Sequence, residues 1–351
     1  MKRTLRDALI SGNLKDLSFI NEGIDLDDNS KSMHLRQLEM MIKIRLVEDK
    51  IAQMRREGFI GGPVHLGAGQ EAIAVGVSTH LRKSDRVFSA HRSHAHLLAL
   101  GSDVRRLFSE VLGKANGFTR GMGGSMHLWD QPNGFYGSVP IVAGTVPLAV
   151  GAGLAAKIQG KTDIAVAYFG DGAVEEGVIH ESLNLASYFK IPILFICENN
   201  FFSSHMHLSQ RQPSQLMSRF AVANDISSEV IDGNNIVDVS NIARAQIKNI
   251  RDGKGPQFLE VVTFRHYGHV DWREDIDVGV NRSAEDLAKW KKFDPIKRLE
   301  SAMVDEKLIT EVEIKGIYLK LKEEIQAAWQ LAENDPYPNS KDLLGFVYRS
   351  N

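Results

Sequence analysis

Two short apolar runs, Ile164 to Phe169 (IAVAYF) and Ile193 to Cys197 (ILFIC), bracket a stretch from Val174 to Phe189 that reads as a helix. Runs that are apolar throughout, rather than at alternate positions, mark strands covered on both faces. Strand, helix, strand at this separation is a βαβ unit, and a right-handed crossover returns the second strand parallel to the first. The expected fold class is therefore α/β, a mostly parallel sheet with helices on both faces. Ile226 to Ile231 and Phe258 to Val262 read as further strands, with a helix at about 236–251 between them.

The flanks read differently. Residues 1 to about 32 are polar and form an expected arm. From His34 the residues Leu35, Leu38, Ile42 and Leu46 recur at helical spacing until Gly58 and the Gly61-Gly62-Pro63 turn. Helices are expected at about 68–82 and 103–113, glycine and proline crowd residues 117–147, and the chain after Ser283 is helical and charged. This divides the chain into an arm (1–33), a central domain (34–300) and a C-terminal helical extension (301–351). With 42 Lys+Arg against 44 Asp+Glu the net charge is −2, so no global field attracts nucleic acid or an anionic membrane surface. No stretch approaches the ~20 consecutive apolar residues of a spanning helix. Cys197 is the only cysteine, which excludes an internal disulfide and a cysteine-rich zinc site and points to a reducing compartment; the opening MKRTLRDALI, with no long apolar core behind its basic residues, reads as a cytoplasmic start.

Two loops of the βαβ unit carry the chemistry. Gly170-Asp171-Gly172-Ala173 follows the first run directly, and Glu198-Asn199-Asn200 follows the second. Parallel strands deliver both loops to the carboxyl edge of the sheet, where open α/β folds bind ligands, so Asp171 and Asn200 can converge on one ion. A carboxylate, an amide oxygen and a nearby backbone carbonyl are hard donors suited to Mg²⁺, which completes its octahedron with water and phosphate oxygens. The glycines let backbone N–H groups face those phosphates at the start of the Val174 helix. Singly, each loop reads as a plain turn; together, on consecutive parallel strands, they read as a metal-diphosphate site.

GDGAVEEG…LFICENN resembles the thiamine-diphosphate motif, GDG followed after about 26 residues by NN. The wider series is similar to the alpha subunit of heterotetrameric 2-oxoacid dehydrogenase decarboxylase components, the pyruvate, acetoin and branched-chain type. It comprises HLGAGQEA at 65–72, HRSHAH at 91–96, GMGGSMH at 121–127, FYGSVPIVAGTVPLAVGAG at 135–153 and FRHYGHV at 264–270. The similarity covers about residues 34–300. It implies a thiamine-diphosphate-binding fold with helical N- and C-terminal extensions, thiamine diphosphate and Mg²⁺ as cofactors, and oxidative decarboxylation of a small 2-oxo acid with acyl transfer to lipoamide.

By position, the resemblance makes Asp171 and Asn200 side-chain Mg²⁺ ligands and the backbone oxygen of Phe202 a third. Gly170, Gly172 and Ala173 fall in the same cofactor loop. Arg92 matches the diphosphate-binding arginine, with His91 before it where tyrosine is usual. Pro140 and Val142 fall where backbone meets the aminopyrimidine, Val142 beneath the bent cofactor. His269 matches the histidine of a mobile active-site loop near the reaction centre; Tyr267 stands where some members have histidine, and Val270 where regulated members have a phosphorylated serine, so regulation there is not expected.

Other signals have competing readings. Gly151-Ala-Gly153-Leu-Ala-Ala156 fits the dinucleotide fingerprint, and Asp171 lies about 20 residues on, which raises a remote alternative, an NAD-dependent oxidoreductase. That fingerprint needs a strand immediately before its first glycine, whereas Pro140 and Pro147 break the preceding segment and the glycines suit a close-packed helix at about 148–159. His91, His94 and His96 read as anion contacts and packing rather than a metal site, since no carboxylate or cysteine stands at a usual spacing. His127 either lines the cofactor channel or caps local backbone. Glu175 and Glu176 suit the positive end of a helix. Cys197 reads as core. Asp271 to Asp277 reads either as a solvated loop or as part of the mobile lid.

In thiamine enzymes a glutamate bonds the aminopyrimidine, and no second sheet-forming segment appears in the first 130 residues to host it. The resemblance thus implies a beta subunit supplying the pyrimidine half of the site in an α₂β₂ assembly, with a lipoyl-bearing transacylase core as acceptor. The alternative is a two-chain thiamine-diphosphate-dependent lyase or acyl transferase that does not use lipoamide.

Overall fold

The computed structural model describes residues 5–11, 17, 20, 23–26, 31–276 and 282–343. In chain order come α1 (Leu5–Ser11), α2 (Lys31–Arg56), α3 (Glu71–Ser78), β1 (Arg86–Ser89), α4 (His94–Ala99), α5 (Val104–Val111), β2 (Phe135–Ser138) and α6 (Val146–Ile158). Next are β3 (Ala165–Gly170), α7 (Gly177–Tyr188), β4 (Ile193–Asn199), and a hairpin of β5 (Phe202–Ser203) and β6 (Met206–His207). The chain ends through α8 (Arg219–Val222), β7 (Ser227–Asp232), α9 (Ile236–Arg251), β8 (Gln257–Val262), α10 (Ala284–Lys291), α11 (Pro295–Asp305) and α12 (Glu311–Glu333).

Six strands form one sheet in the order β2-β1-β3-β4-β8-β7, and every pairing is parallel. The apolar runs explain why. Val166, Tyr168, Leu194 and Ile196 face an apolar layer shared with α2, α3, α9 and α12, while Ala167, Phe169, Phe195 and Cys197 face the opposite layer under α6 and α7. A strand buried on both faces cannot afford polar alternation. β1 and β2 are four residues each and were not foreseen; Gly137 interrupts the second, so neither carries a run long enough to signal a strand. Both join the same sheet and bring no second one.

The expected helix from Val174 is divided. A 3-10 turn spans Asp171–Glu175, Glu176 is extended, and α7 begins at Gly177. The dense glycines of 117–125 fold around a single buried carboxylate: Glu110 accepts N–H bonds from Thr119 (2.7 Å), Gly121 (3.1 Å), Gly123 (2.8 Å) and Gly124 (3.1 Å) and the Thr119 hydroxyl (2.6 Å). A segment without its own ladder thereby satisfies its backbone donors.

The border expected at residue 300 falls inside α11. Arg45 of α2 donates to Glu71 (2.5 Å) and to Asp294 (2.8 Å), and Leu299 and Trp329 lie in the same apolar layer as α2. The C-terminal helices are thus packed into the body. About half of the expected arm at 1–33 lies outside the described residues; within them, Leu9 of α1 and Ile20 are buried against the α6–α7 side. No helix among the described residues is long and apolar enough to cross a membrane.

Candidate functional site

Gly170 pairs with Glu198 across β3 and β4, so the two loops that follow leave the same edge of the sheet side by side. The backbone N–H of Asn200 donates to Asp171 Oδ1 at 3.3 Å. The Asn200 amide oxygen accepts the N–H of Phe202 at 3.3 Å, and its Nδ2 reaches Gln70 Oε1 at 3.5 Å. Behind them the turn is held by Asn199, whose Nδ2 donates to the buried Glu260 carboxylate at 2.8 Å.

A cavity of ≈ 240 Å³ opens at this edge. It is lined by His91, Arg92, Pro140, Val142, Gly170, Asp171, Gly172, Ala173, Asn200, Phe202 and His269, so every residue singled out as metal- or cofactor-binding meets in one place. The walls also include His65, Gln70, Met126, Ala143, Glu198, Ser203 and Ser204, to which no role was given from sequence. His65 and Gln70 lie in the HLGAGQEA run and Glu198 opens the ENN loop, so their motifs were visible and their inward placement was not. Strained backbone gathers here, with Ala143, Phe201 and Ser204 at φ 61°, 69° and 52°. Gly172 has no room for a side chain: a Cβ would lie 2.3 Å from Ser203 Oγ.

The loops that carry these oxygen donors stand at the sheet edge yet are buried: Asp171 is 1% exposed. Burial raises its pKa, opposed by the Arg211 guanidinium that pairs with it. Arg211 also pairs with Glu175, so that carboxylate serves an ion pair rather than only a helix end. Nothing local announces Arg211, which lies 40 positions from Asp171.

Guanidinium groups gather on and behind the lining. Arg92 donates to the backbone oxygens of Leu66 (2.6 Å) and His269 (3.1 Å), and burial lowers its pKa to about 10. Arg265 lies behind the lining rather than in it, its Nη2 donating to the Ser204 carbonyl at 3.3 Å; it is fully buried, its Nη1 has no hydrogen-bond partner among the described residues, and burial followed by Arg92 and Arg282 lowers its pKa. A buried guanidinium nitrogen left unpaired is costly unless an anion completes it. Hard oxygens together with crowded guanidinium groups fit a divalent cation with a diphosphate.

His65, His91 and His269 meet edge to face, with ring centroids 4.7 to 5.5 Å apart and ligand nitrogens within 4.8 Å of one another. Burial, then the Arg92 charge, lowers their pKa values to about 3, 2 and 3. Three neutral imidazoles could ligate a metal, but the partly buried Arg92 that disfavours their protonation disfavours any cation there. The cluster suits an anion. His94 and His96 do not line the cavity and find carboxylates distant in sequence: His94 Nδ1 pairs with Glu48 (3.2 Å) and Nε2 with Ser125 (2.9 Å), and His96 Nε2 pairs with the lining residue Glu198 (3.1 Å).

His127 Nδ1 bonds the Gly123 carbonyl at 3.0 Å, the capping role. Gly151 lies inside α6 rather than at a strand end and is exposed, with open space where its Cβ would be, whereas a Cβ on Gly153 would meet Ile191 at 2.7 Å; only Gly153 is a close-packing position, and neither glycine sits in a dinucleotide turn. In the loop after β8, Asp275 accepts the His269 N–H (2.6 Å), Tyr267 donates to Asp49 (2.9 Å), and Arg282 donates to the Arg265 carbonyl (2.7 Å). Asp277, the end of the expected acidic lid, lies outside the described residues.

A family model described as "Dehydrogenase E1 component" matches residues 38–341. The chain is 33% identical over 329 residues to the alpha subunit of acetoin:2,6-dichlorophenolindophenol oxidoreductase of Bacillus subtilis, covering 94% of this chain and 96% of that one. It is 33% identical over 315 residues to the pyruvate dehydrogenase E1 component subunit alpha of Rhizobium meliloti, covering 90% and 89%. The testis-specific mitochondrial form of that subunit from Homo sapiens is 33% identical over 353 residues, covering 100% and 89%.

Proposed function

Because the chain belongs to the dehydrogenase E1 component family, we propose that it is the alpha subunit of a two-chain enzyme that decarboxylates a small 2-oxo acid with thiamine diphosphate and passes the acyl group to lipoamide. The observation that carries this reading is the convergence of Asp171, Asn200, Arg92, Val142 and His269 on one cavity at the carboxyl edge of β3 and β4. When bound, the coenzyme supplies the electron sink that decarboxylation requires.

The chain's residues divide the remaining work. Asp171, Asn200 and the Phe202 backbone oxygen would hold Mg²⁺, and Gly172 would leave backbone open to the diphosphate. Arg92, in the lining, would neutralise that diphosphate, with Arg265 adding positive charge from behind Ser204. Pro140 and Val142 would form the wall under the rings. His269, neutral in its buried setting, can give or take a hydrogen bond beside the reaction centre without adding charge.

The partner is a beta subunit, and the finer arrangement we propose is α₂β₂ with a lipoyl-bearing transacylase as acceptor. α6 and α7 pack side by side and leave Ile141 before them and Leu148, Ile158 and Tyr188 on them exposed at 71%, 57%, 77% and 80%. Ile141 and Leu148 lie at the cavity end of this pair and Ile158 and Tyr188 at its far end, so the apolar exposure runs along both helices and suits an obligate interface. Val142 joins this face to the cavity wall, which would let the second chain complete the site.

A second reading, a two-chain thiamine enzyme that does not use lipoamide, is favoured by the acetoin-acting relative and by His91 in the place of tyrosine. Reductive acylation of lipoamide by the reconstituted chains, with a 2-oxo acid and with acetoin as donors, separates the readings. Acylation from a 2-oxo acid supports the first; turnover with an artificial acceptor but never with lipoamide supports the second.

A further inference from the structure

Asp171 keeps one oxygen for Asn200 and the other for Arg211. The Arg211 side chain is itself buried, and its three nitrogens are all engaged: Nη2 with Asp171, Nη1 with Glu175, and Nε with the Met206 carbonyl at 3.2 Å. It follows the turn Leu208–Gln210 at the foot of the β5–β6 hairpin, which contributes Phe202 and Ser203 to the cavity. A divalent cation taken up by Asp171 meets a guanidinium already on the same carboxylate. Two cations on one buried anion repel strongly in a low-dielectric site.

We propose that Arg211 is a built-in competitor for the divalent cation, a positioning residue that holds Asp171 in place and sets the Mg²⁺ concentration at which the site loads. Glu175 makes the exchange possible. It is the more exposed of the two carboxylates, at 29% against 1%, and it retains the guanidinium when Asp171 turns to the metal, so no buried charge is stranded. Through the Met206 contact the same exchange reaches the hairpin, linking metal uptake to the position of Phe202 and Ser203. This rests on the assignment of Asp171 as a Mg²⁺ ligand.

The test is a Mg²⁺ titration of the assembled two-chain enzyme with thiamine diphosphate in excess, followed calorimetrically and read as the half-saturating Mg²⁺ concentration. Arg211→Gln is expected to lower that concentration about tenfold, because a buried competing charge is removed. Arg211→Lys, whose single ammonium reaches one carboxylate at a time, is expected to lower it by less, and decides the matter if the glutamine variant does not assemble. A purely structural arginine gives the opposite sign, weaker Mg²⁺ binding on substitution. An unchanged or raised half-saturation overturns the proposal while leaving the metal site intact. Cofactor binding that is indifferent to Mg²⁺ in the unsubstituted enzyme removes the metal site, and the proposal with it.

Discussion

The Asn200 N–H points at Asp171 Oδ1 across 3.3 Å, although 29 positions separate the two residues. The contact exists because β3 and β4 are parallel neighbours whose ends are in register, Gly170 opposite Glu198. Two turns that are ordinary singly become one hard-oxygen site through that register.

Activity is expected to require the second chain. The purified chain alone should not decarboxylate a 2-oxo acid, and adding the beta subunit should restore turnover. Release of CO₂ measured with and without the partner decides it, and robust turnover by the single chain would contradict the shared-site account.

Acid is expected to destabilise the fold through the buried and partly buried imidazoles of the cavity. His65, His91 and His269 titrate at about 3, 2 and 3 in the folded chain, against roughly 6.5 for an ordinary imidazole. Below about pH 6.5 the unfolded chain binds protons that the folded chain refuses. Their contribution is thus fully present above that pH and is lost as pH falls toward about 3; His266, also lowered to about 3, adds the same sign. Urea midpoints should change little between pH 7.5 and about 6.5 and decline from there toward pH 5, and His91→Asn should remove about one proton's worth of that slope. Midpoints that stay flat over this range would contradict the neutral cluster.

The loop after β8 depends on Gly268. A Cβ there would lie 2.1 Å from the Asp275 carboxyl carbon, and Asp275 is what holds the His269 N–H. Gly268→Ala should displace Asp275 at a cost of about 1–3 kcal/mol. It should also speed tryptic cleavage at the exposed Arg273, a site that cofactor with Mg²⁺ should protect in the unsubstituted enzyme. Equal digestion rates in all four conditions would count against a cofactor-ordered lid.

Glu110 should be worth more than a surface acid. Glu110→Ala leaves several backbone donors of the 117–125 turn without their acceptor, and the loss is expected at about 3 kcal/mol or more. Hydrogen exchange at Gly121, Gly123 and Gly124 should accelerate together. Protection retained at all three would show that other acceptors suffice.

What could be read from sequence follows from how far each signal travels along the chain. β3, β4 and β8 are apolar throughout because both faces are covered, and that pattern is local. β1 and β2 are too short to show it, and they hold the sheet edge only because β3 is already there. In the site, Asp171 and Asn200 announce themselves by standing directly after strands. Arg211, Arg265 and the Glu48–His94 pair do not, because their meaning comes from partners tens to hundreds of positions away. Glu175 was placed at a helix end, and its ion pair with Arg211 became visible only when the hairpin folded back over the loop.

The most direct test is calorimetric titration of thiamine diphosphate, with and without Mg²⁺, into the assembled enzyme carrying Asp171→Asn. The carboxylate is buried and paired, so the variant should lose about 1–3 kcal/mol of stability yet remain folded, with Arg211 kept on Glu175. Mg²⁺-dependent affinity should fall by more than ~100-fold, beyond what loss of an outer-shell partner typically costs. Unaltered affinity in a folded variant would contradict the claim that Asp171 and Asn200 grip the metal that anchors the coenzyme.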